Sequence, residues 1–140
     1  MKMKIFISIV FMFLLTWCQG QKLMQKLEDA KKLQQQQEKF VNKPLKNLLA
    51  QISPEIKSTI GDVECINKKK MNTIIFYFEE RKDFLRRKQK SENPTRIMVY
   101  LINPESKIYP KLDKHTPWSI EKTNIYGDFI VKRISVLGEN

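Results

Sequence analysis

The hydrophobic residues of this chain fall into short stretches with two different periods. Stretches with the two-residue period of a β-strand, rich in β-branched and aromatic residues, occur at 73–78, 96–102 and 129–136. A weaker strand is expected at 57–60 or at 63–66, because Gly61 favours a turn in this region. Because short connections join these stretches, the chain is expected to form a small, mainly antiparallel sheet.

A helical period appears in the N-terminal part of the chain. Lys, Gln, Glu and Leu dominate 21–39, and Leu23, Leu27 and Ala30 have the spacing of one helix face. The apolar stripe thins at the four glutamines 34–37. This segment is therefore expected to be helical and to project from the fold, to fray, or to tether the fold to a membrane.

Three further helices are expected. The first is a short helix that follows Pro44, since proline fits the first turn of a helix. The second covers 79–88, where Asp83 and Arg87 are four positions apart and therefore at ion-pairing distance. The third covers 119–126 and begins at a serine that can cap its N-terminus.

These elements predict an α+β fold in which N-terminal helices pack on a small, mainly antiparallel sheet. The chain divides into a signal peptide at 1–20, a helical N-terminal segment at 21–41 and a single α+β domain at 42–140. In the last strand, Val131 and Arg133 are expected to face away from the core. The predicted core consists of Leu45, Leu48, Leu49, Ile74, Phe76, Phe78, Ile97, Val99, Leu101, Ile130, Ile134 and Val136.

The first twenty residues have the pattern of an export signal. Lys2 and Lys4 precede an uncharged apolar run, and the chain becomes polar at Gln19. A helix over 5–18 would measure about 21 Å against a hydrocarbon core of about 30 Å, so no permanent transmembrane span is expected. The protein is expected to be exported, either to the periplasm or out of the cell.

The end of this signal allows two outcomes. Cys18 and Gly20 are small residues, and they lie three positions and one position before Gln21. Cleavage before Gln21 therefore fits the small-x-small rule, and it would release a soluble protein. Alternatively, 15–18 resembles a bacterial lipobox, in which Cys18 would be lipidated and would anchor the protein at the outer membrane. Trp17 departs from the small residue usual before such a cysteine. Cleavage before Gln21 is the favoured expectation.

Three short stretches resemble small uncharacterised exported proteins of Bacteroidetes-type bacteria. They are Cys-Gln-Gly-Gln at 18–21, Asn-Lys-Pro-Leu-Lys at 42–46 and Tyr-Gly-Asp at 126–128. The resemblance extends over most of the exported chain in its layout, while the motifs themselves are short. It implies a location outside the cytoplasm and a style of fold, and it brings no active site to this chain.

Composition narrows the chemistry that the chain can perform. Its 140 residues suit one domain, and 26 Lys and Arg against 15 Asp and Glu give a net charge of +11. Two cysteines cannot build a disulfide framework, and one histidine cannot build a histidine-rich metal site. With four glycines and no phosphate-loop or hydrolase motif, no cofactor is expected. The carboxylates at 79–83 fit the start of a helix better than a calcium loop, so no metal is expected.

Cys65 and His115 are the only candidates for a thiol nucleophile and an imidazole base. They would need an acidic residue, such as Asp113 or Asp128, to orient the histidine. Their spacing does not favour such a site, because a free cysteine beside a strand usually behaves as a small hydrophobe and His115 lies in a polar loop. No catalytic residue is assigned, and His115 is expected to be solvated.

Basic residues concentrate in two clusters that are predicted to bind an anion or a partner; they are Lys68, Lys69 and Lys70, and Arg86, Arg87 and Lys88. Suitable partners are an acidic protein, a polysaccharide or lipid headgroups. Nucleic acid is less expected for an exported protein, although Tyr77 and Tyr100 lie on neighbouring strands and could stack bases. The simpler alternative is that the charge maintains solubility.

The sequence thus predicts an exported binding or interaction module rather than an enzyme. The first alternative is a small extracytoplasmic hydrolase that uses His115 with a carboxylate, and the second is binding of nucleic acid or another anionic polymer through the basic face. The position of His115 distinguishes the binding module from the hydrolase. A pocket holding His115 beside a carboxylate would favour the hydrolase, and an exposed loop would favour the binding module.

Overall fold

The computed structural model describes residues 20–62, 72–104, 109–110 and 112–138. Four antiparallel strands form one sheet in the order of the chain; they are β1 (Ser58–Asp62), β2 (Asn72–Tyr77), β3 (Arg96–Ile102) and β4 (Ile130–Leu137). The helices are α1 (Ala30–Gln35), α2 (Leu45–Leu49), α3 (Arg81–Gln89) and α4 (Ile120–Tyr126). The predicted α+β class and the antiparallel sheet are confirmed.

One face of the sheet is buried in the hydrophobic core. Ile74 lies opposite Val99 and Phe76 lies opposite Ile97, and these four side chains are fully buried. Most of the predicted core is confirmed, since Leu45, Leu48, Phe78, Leu101 and Ile134 are buried as well. Leu49 and Val136 are partly buried and pack against the same cluster.

The prediction for the start of β4 was wrong. Val131 is fully buried, whereas Ile130 is only half-buried. The cause is an irregularity in the pairing of β3 with β4, where Tyr100 lies opposite Arg133 but the next residue, Leu101, lies opposite Val131. The register skips one residue of β4, which reverses the alternation on its N-terminal side.

The predicted helix over 21–39 is interrupted. Short 3₁₀ turns, Leu27–Asp29 and Gln37–Lys39, flank α1. The backbone N–H groups of Gln25 and Lys26 donate to Asp29 Oδ2, each over 3.2 Å. These bonds offer the backbone an alternative to helical pairing, so the helix begins late.

The N-terminal segment does not project from the fold over Met24 to Leu33. Met24, Ala30 and Leu33 are fully buried. The backbone N–H of Met24 also donates to Gln51 O over 3.0 Å, which fastens this part of the chain to the residues after α2. The apolar positions of this segment therefore contribute to the core.

Side chains of the glutamine run cover the outer edge of β4. Gln34 Oε1 accepts a hydrogen bond from the backbone N–H of Val136 over 2.6 Å, and Gln37 Oε1 accepts one from Ile134 over 3.3 Å. An edge strand with unpaired N–H groups invites pairing with another chain. The glutamines, which carry no evident chemistry in the sequence, satisfy two of these donors.

The predicted surface loop before α4 ends in a segment that pairs with β1. The backbone N–H of His115 donates to Thr59 O over 2.7 Å, and that of Trp118 donates to Ile56 O over 3.1 Å. Thr116 lies opposite Thr59 in an isolated antiparallel bridge. This pairing places His115 beside the edge of the sheet, which the loop prediction did not anticipate.

Some predicted features lie outside the described residues. These are the apolar run and Cys18 in 1–19, and Cys65, Lys68, Lys69 and Lys70 in 63–71. Among the helices that the structure describes, none has the length and apolar character needed to cross a membrane.

Candidate functional site

A groove of about 230 Å³ lies between β1 and α3, and we refer to it as the β1–α3 groove. It opens on the face of the sheet opposite the core, because its strand residues alternate with the buried Thr59 and Phe76. Its lining consists of Ser58, Ile60, Tyr77, Arg81, Phe84, Leu85 and His115.

The sheet supplies the floor of the groove. Ser58 lies opposite Tyr77 in the register of β1 with β2, so the two side chains share a face of the sheet. Ile60 is two residues further along β1 and shares that face, where it is half-buried. Ser58 is almost completely buried, at 3% exposure. The floor therefore changes from polar at Ser58 to apolar at Ile60.

Helix α3 supplies the opposite wall and is attached through Phe84. The ring of Phe84 meets the ring of Tyr77 edge to face, with centroids 4.9 Å apart, and the guanidinium of Arg96 lies 5.6 Å from the centre of the Phe84 ring. Leu85, the next residue of the helix, is 48% exposed on the wall of the groove. The helix thus leaves an apolar side chain available at the site.

His115 enters the groove from the segment before α4. Its backbone has φ of 62°, in the left-handed region, and its side chain is half-buried rather than solvated as expected. Burial lowers the pKa of His115 below its ordinary value of 6.5, and the positive charges of Arg81 and Lys114 lower it further. The imidazole therefore favours its neutral form at pH 7.

The charge contributed by the described residues that line the groove is positive. Arg81 is exposed at the first position of α3, and its charge reaches His115. Among the residues that the structure describes, no carboxylate lines the groove and none lies within 4.0 Å of Arg81. An apolar wall beside an uncompensated cation suits a ligand that has a negative charge and an apolar part.

The lining does not contain the parts of a hydrolytic site. Ser58 and His115 both line the groove, but no hydrogen bond between them occurs in the described structure. The described lining residues also offer no carboxylate to orient the imidazole, which a catalytic base of this kind requires. His115 lies in a groove but without the acidic neighbour that would favour the hydrolase.

The basic cluster on α3 is partly neutralised by internal ion pairs. Arg86 pairs with Asp83 over 3.1 Å, so the expected pairing of Asp83 with Arg87 does not form. Arg87 instead pairs with Glu79 and with Glu92, and both carboxylates raise its pKa. An anion would have to compete with these carboxylates for either arginine.

Lys88 is the third residue of this cluster. Its side chain is exposed on the last turn of α3, and it forms no ion pair among the described residues. It does not line the groove. Anion binding by Arg86, Arg87 and Lys88 stays a prediction, and the structure places Arg81 rather than these residues at the groove.

Both tyrosines that were considered for base stacking already contact other groups. Tyr77 packs against Phe84, and the guanidinium of Arg133 lies 4.0 Å from the centre of the Tyr100 ring. Stacking of a base on Tyr100 would have to displace Arg133 from that face of the ring or use the opposite face. The geometry therefore favours the groove over a base-stacking surface.

The sequence contained a weak signal for part of this site. The alternation in β2 placed Tyr77 on the face opposite the core, but no pattern in the sequence indicated that Leu85 would be exposed. Nothing in the sequence showed that 115–118 pairs with β1, and this pairing brings His115 to Arg81. The site was missed because it depends on a contact between distant parts of the chain.

The comparisons with other proteins add no assignment for this site. Comparison with known protein families, with curated proteins and with solved structures finds no match. In the part of the chain that the structure describes, no three His, Cys, Asp or Glu side chains come together in a way that could hold a metal ion. The function must therefore be argued from the groove itself.

Proposed function

We propose that the protein is a small exported binding module that holds an anionic ligand in the β1–α3 groove. The observation that carries this proposal is the composition of the lining. Arg81 and His115 share the groove with Ile60, Phe84 and Leu85, and none of the described residues that line it is a carboxylate. Such a lining attracts a negative charge and covers an apolar group at the same time.

The field around His115 supports an anion as the ligand. Burial lowers the pKa of His115, and the positive charges of Arg81 and Lys114 lower it further. A negative group in the groove would offset this positive field and would pair with a guanidinium that has no carboxylate partner in the described structure. Binding is favoured over hydrolysis because the groove lacks a group to orient the imidazole.

The proposal includes the arrangement of the rest of the chain. We infer that the N-terminal helices pack on the buried face of the sheet, which leaves the opposite face for the ligand. Leu33, Leu45 and Leu48 belong to the same buried cluster as Ile74 and Val99. The backbone N–H of Leu45 also donates to Phe129 O over 2.7 Å, beside the start of β4.

Export belongs to the same proposal and is supported by the N-terminal sequence. Lys2 and Lys4, the apolar run after them and the small residues Cys18 and Gly20 have the order of a cleavable signal. Intact-mass analysis of protein recovered from the cell envelope is expected to show a chain that begins at Gln21. A lipidated chain beginning at Cys18 would replace cleavage with anchoring, and a chain still beginning at Met1 would contradict export.

Binding of an anionic apolar dye, anilinonaphthalene sulfonate, tests the proposed function. We expect the dye to bind the folded protein, and Arg81→Gln to weaken binding about threefold to tenfold. This is the range for loss of a charge-assisted contact that is partly exposed to water. Fluorescence titration at low salt and at about 0.15 M salt measures the affinity, which should fall as salt screens the charge.

The neighbouring residue gives a matched control. Lys82 is exposed on the same turn of α3 and does not line the groove, so Lys82→Gln removes one positive charge without changing the site. Dye binding should change much less in this variant than in Arg81→Gln. Equal losses in both variants would mean that net charge, rather than the groove, holds the dye, and the proposed site would be wrong.

A further inference from the structure

We propose that the ligand of the β1–α3 groove is a free carboxylate with a short alkyl chain. Its carboxylate lies at Arg81 and His115, and its chain lies along Ile60, Phe84 and Leu85. The inference rests on the proposed function and specifies the chemistry of its ligand. Three observations carry it: the apolar wall, the number of fixed charges and the size of the groove.

The apolar wall is the first observation. Leu85 and Ile120 are the large hydrophobic residues that the described structure leaves exposed, at 48% and 82%. Leu85 lines the groove together with Phe84 and the half-buried Ile60, whereas Ile120 does not. An alkyl chain in the groove would remove this apolar surface from water, which is favourable in proportion to the area covered.

The charge of the groove is the second observation. Among the described residues that line the groove, Arg81 is the one with a permanent charge, since His115 favours the neutral form at pH 7. One fixed positive charge matches a monoanion better than a doubly charged phosphate. The planar fork of a guanidinium also matches the two oxygens of a carboxylate.

The size of the groove is the third observation. A volume of about 230 Å³ equals roughly eight groups of the size of a water molecule, whose share of liquid volume is about 30 Å³. This space lies below the range of about 300–1,000 Å³ that is usual for drug-sized ligands. It suits a carboxylate with a chain of about five to seven carbons, and longer chains, or a larger molecule such as anilinonaphthalene sulfonate, would extend from the open side of the groove into water.

A series of straight-chain alkanoates from butyrate to decanoate tests the inference. We expect affinity to rise about twofold to fourfold with each methylene up to about octanoate and then to level off. The upper value corresponds to complete burial of a methylene, and the lower value corresponds to a groove that is open on one side. Calorimetry measures the affinities directly, and displacement of anilinonaphthalene sulfonate shows that the alkanoate and the dye share a site.

Variants of the apolar wall test the contribution of the alkyl chain, and ligands without a negative charge test the contribution of the carboxylate. Leu85→Ala should weaken octanoate severalfold and butyrate little, because the shorter chain gains less from the wall. Ile120→Ala is the matched control, since it removes an equally large exposed side chain that does not line the groove. Octanol and octylamine, which have the chain without the negative charge, should bind at least tenfold more weakly than octanoate.

The outcomes distinguish this inference from the proposed function. If the dye binds through Arg81 but alkanoate affinity is independent of chain length, or octylamine binds as well as octanoate, the ligand class is wrong while the proposed function stands. If alkanoate affinity depends on chain length but Leu85→Ala and Ile120→Ala behave alike, the assigned wall is wrong. If dye binding does not depend on Arg81, the proposed function itself fails.

Discussion

His115 shows how one backbone conformation creates the site. With φ of 62° its backbone lies in the left-handed region, which residues other than glycine seldom adopt. The hydrogen bond from its N–H to Thr59 O holds the backbone there and directs the residue to the groove. The sequence around His115 contains no glycine or turn motif that would reveal this conformation, so the expectation of a solvated loop residue was reasonable and wrong.

Arg87 shows why a count of charges overestimates a basic surface. Its spacing from Asp83 predicted an ion pair along one helix, but its guanidinium pairs with Glu79 and Glu92, before and after that helix. A long side chain in the last turn of a short helix can reach segments outside that helix, and helical spacing does not describe such contacts. The error at Ile130 and Val131 has a similar origin. The register of β3 with β4 skips one residue of β4, and the sequence of β4 alone does not show this irregularity.

Among the elements, strands with strong alternation were predicted most accurately. The predicted range 96–102 is the observed range of β3, where β-branched and aromatic residues favour a strand and every second residue is buried. The short helix α2 was predicted from its leucines, and α4 from the serine that caps it. For β1 two ranges were possible in the sequence, and only its pairing with β2 selects Ser58–Asp62.

The side chains of Gln34 and Gln37, which accept hydrogen bonds from β4, are predicted to stabilise the fold. Replacement of Gln34 and Gln37 by alanine removes both side-chain acceptors from the edge of β4. Unfolding free energy should fall by about 1–2 kcal/mol for the pair, the usual sum for two partly exposed hydrogen bonds. Urea melts measure this loss, and sedimentation shows whether the uncovered edge causes association.

A second double variant provides the control for that prediction. Gln25→Ala with Gln35→Ala changes two exposed glutamines of the same segment, and neither side chain bonds to β4 in the described structure. Its stability should lie within about 0.5 kcal/mol of the native protein. Equal losses in the two double variants would mean that the bonds to Val136 and Ile134 do not stabilise the edge.

In the whole molecule, the two faces of the sheet differ in their surroundings. One face carries Ile74, Phe76 and Val99, which belong to the buried cluster. The opposite face carries α3 and the groove, where Leu85 and Arg81 are exposed. The sequence predicted the core face because burial follows periodicity, but it could not predict the groove, which joins β1, α3 and the segment before α4.

An NMR pH titration of His115 tests directly whether an anion occupies the β1–α3 groove beside this residue. The chain contains one histidine, so the signal is unambiguous. In the free protein its pKa should lie below 6.5. Arg81→Gln should raise that pKa by removing a nearby positive charge, whereas Lys82→Gln should change it much less.

The deciding comparison is between the pKa of His115 in the free protein and its pKa in protein saturated with anilinonaphthalene sulfonate. A negative charge beside the imidazole favours its protonated form, so we predict that the bound dye raises the pKa of His115. By linkage, dye affinity must then increase as pH falls through the titration range of the histidine. If His115 titrates at the same pH with and without saturating dye, the anion does not lie in the groove and the account is contradicted.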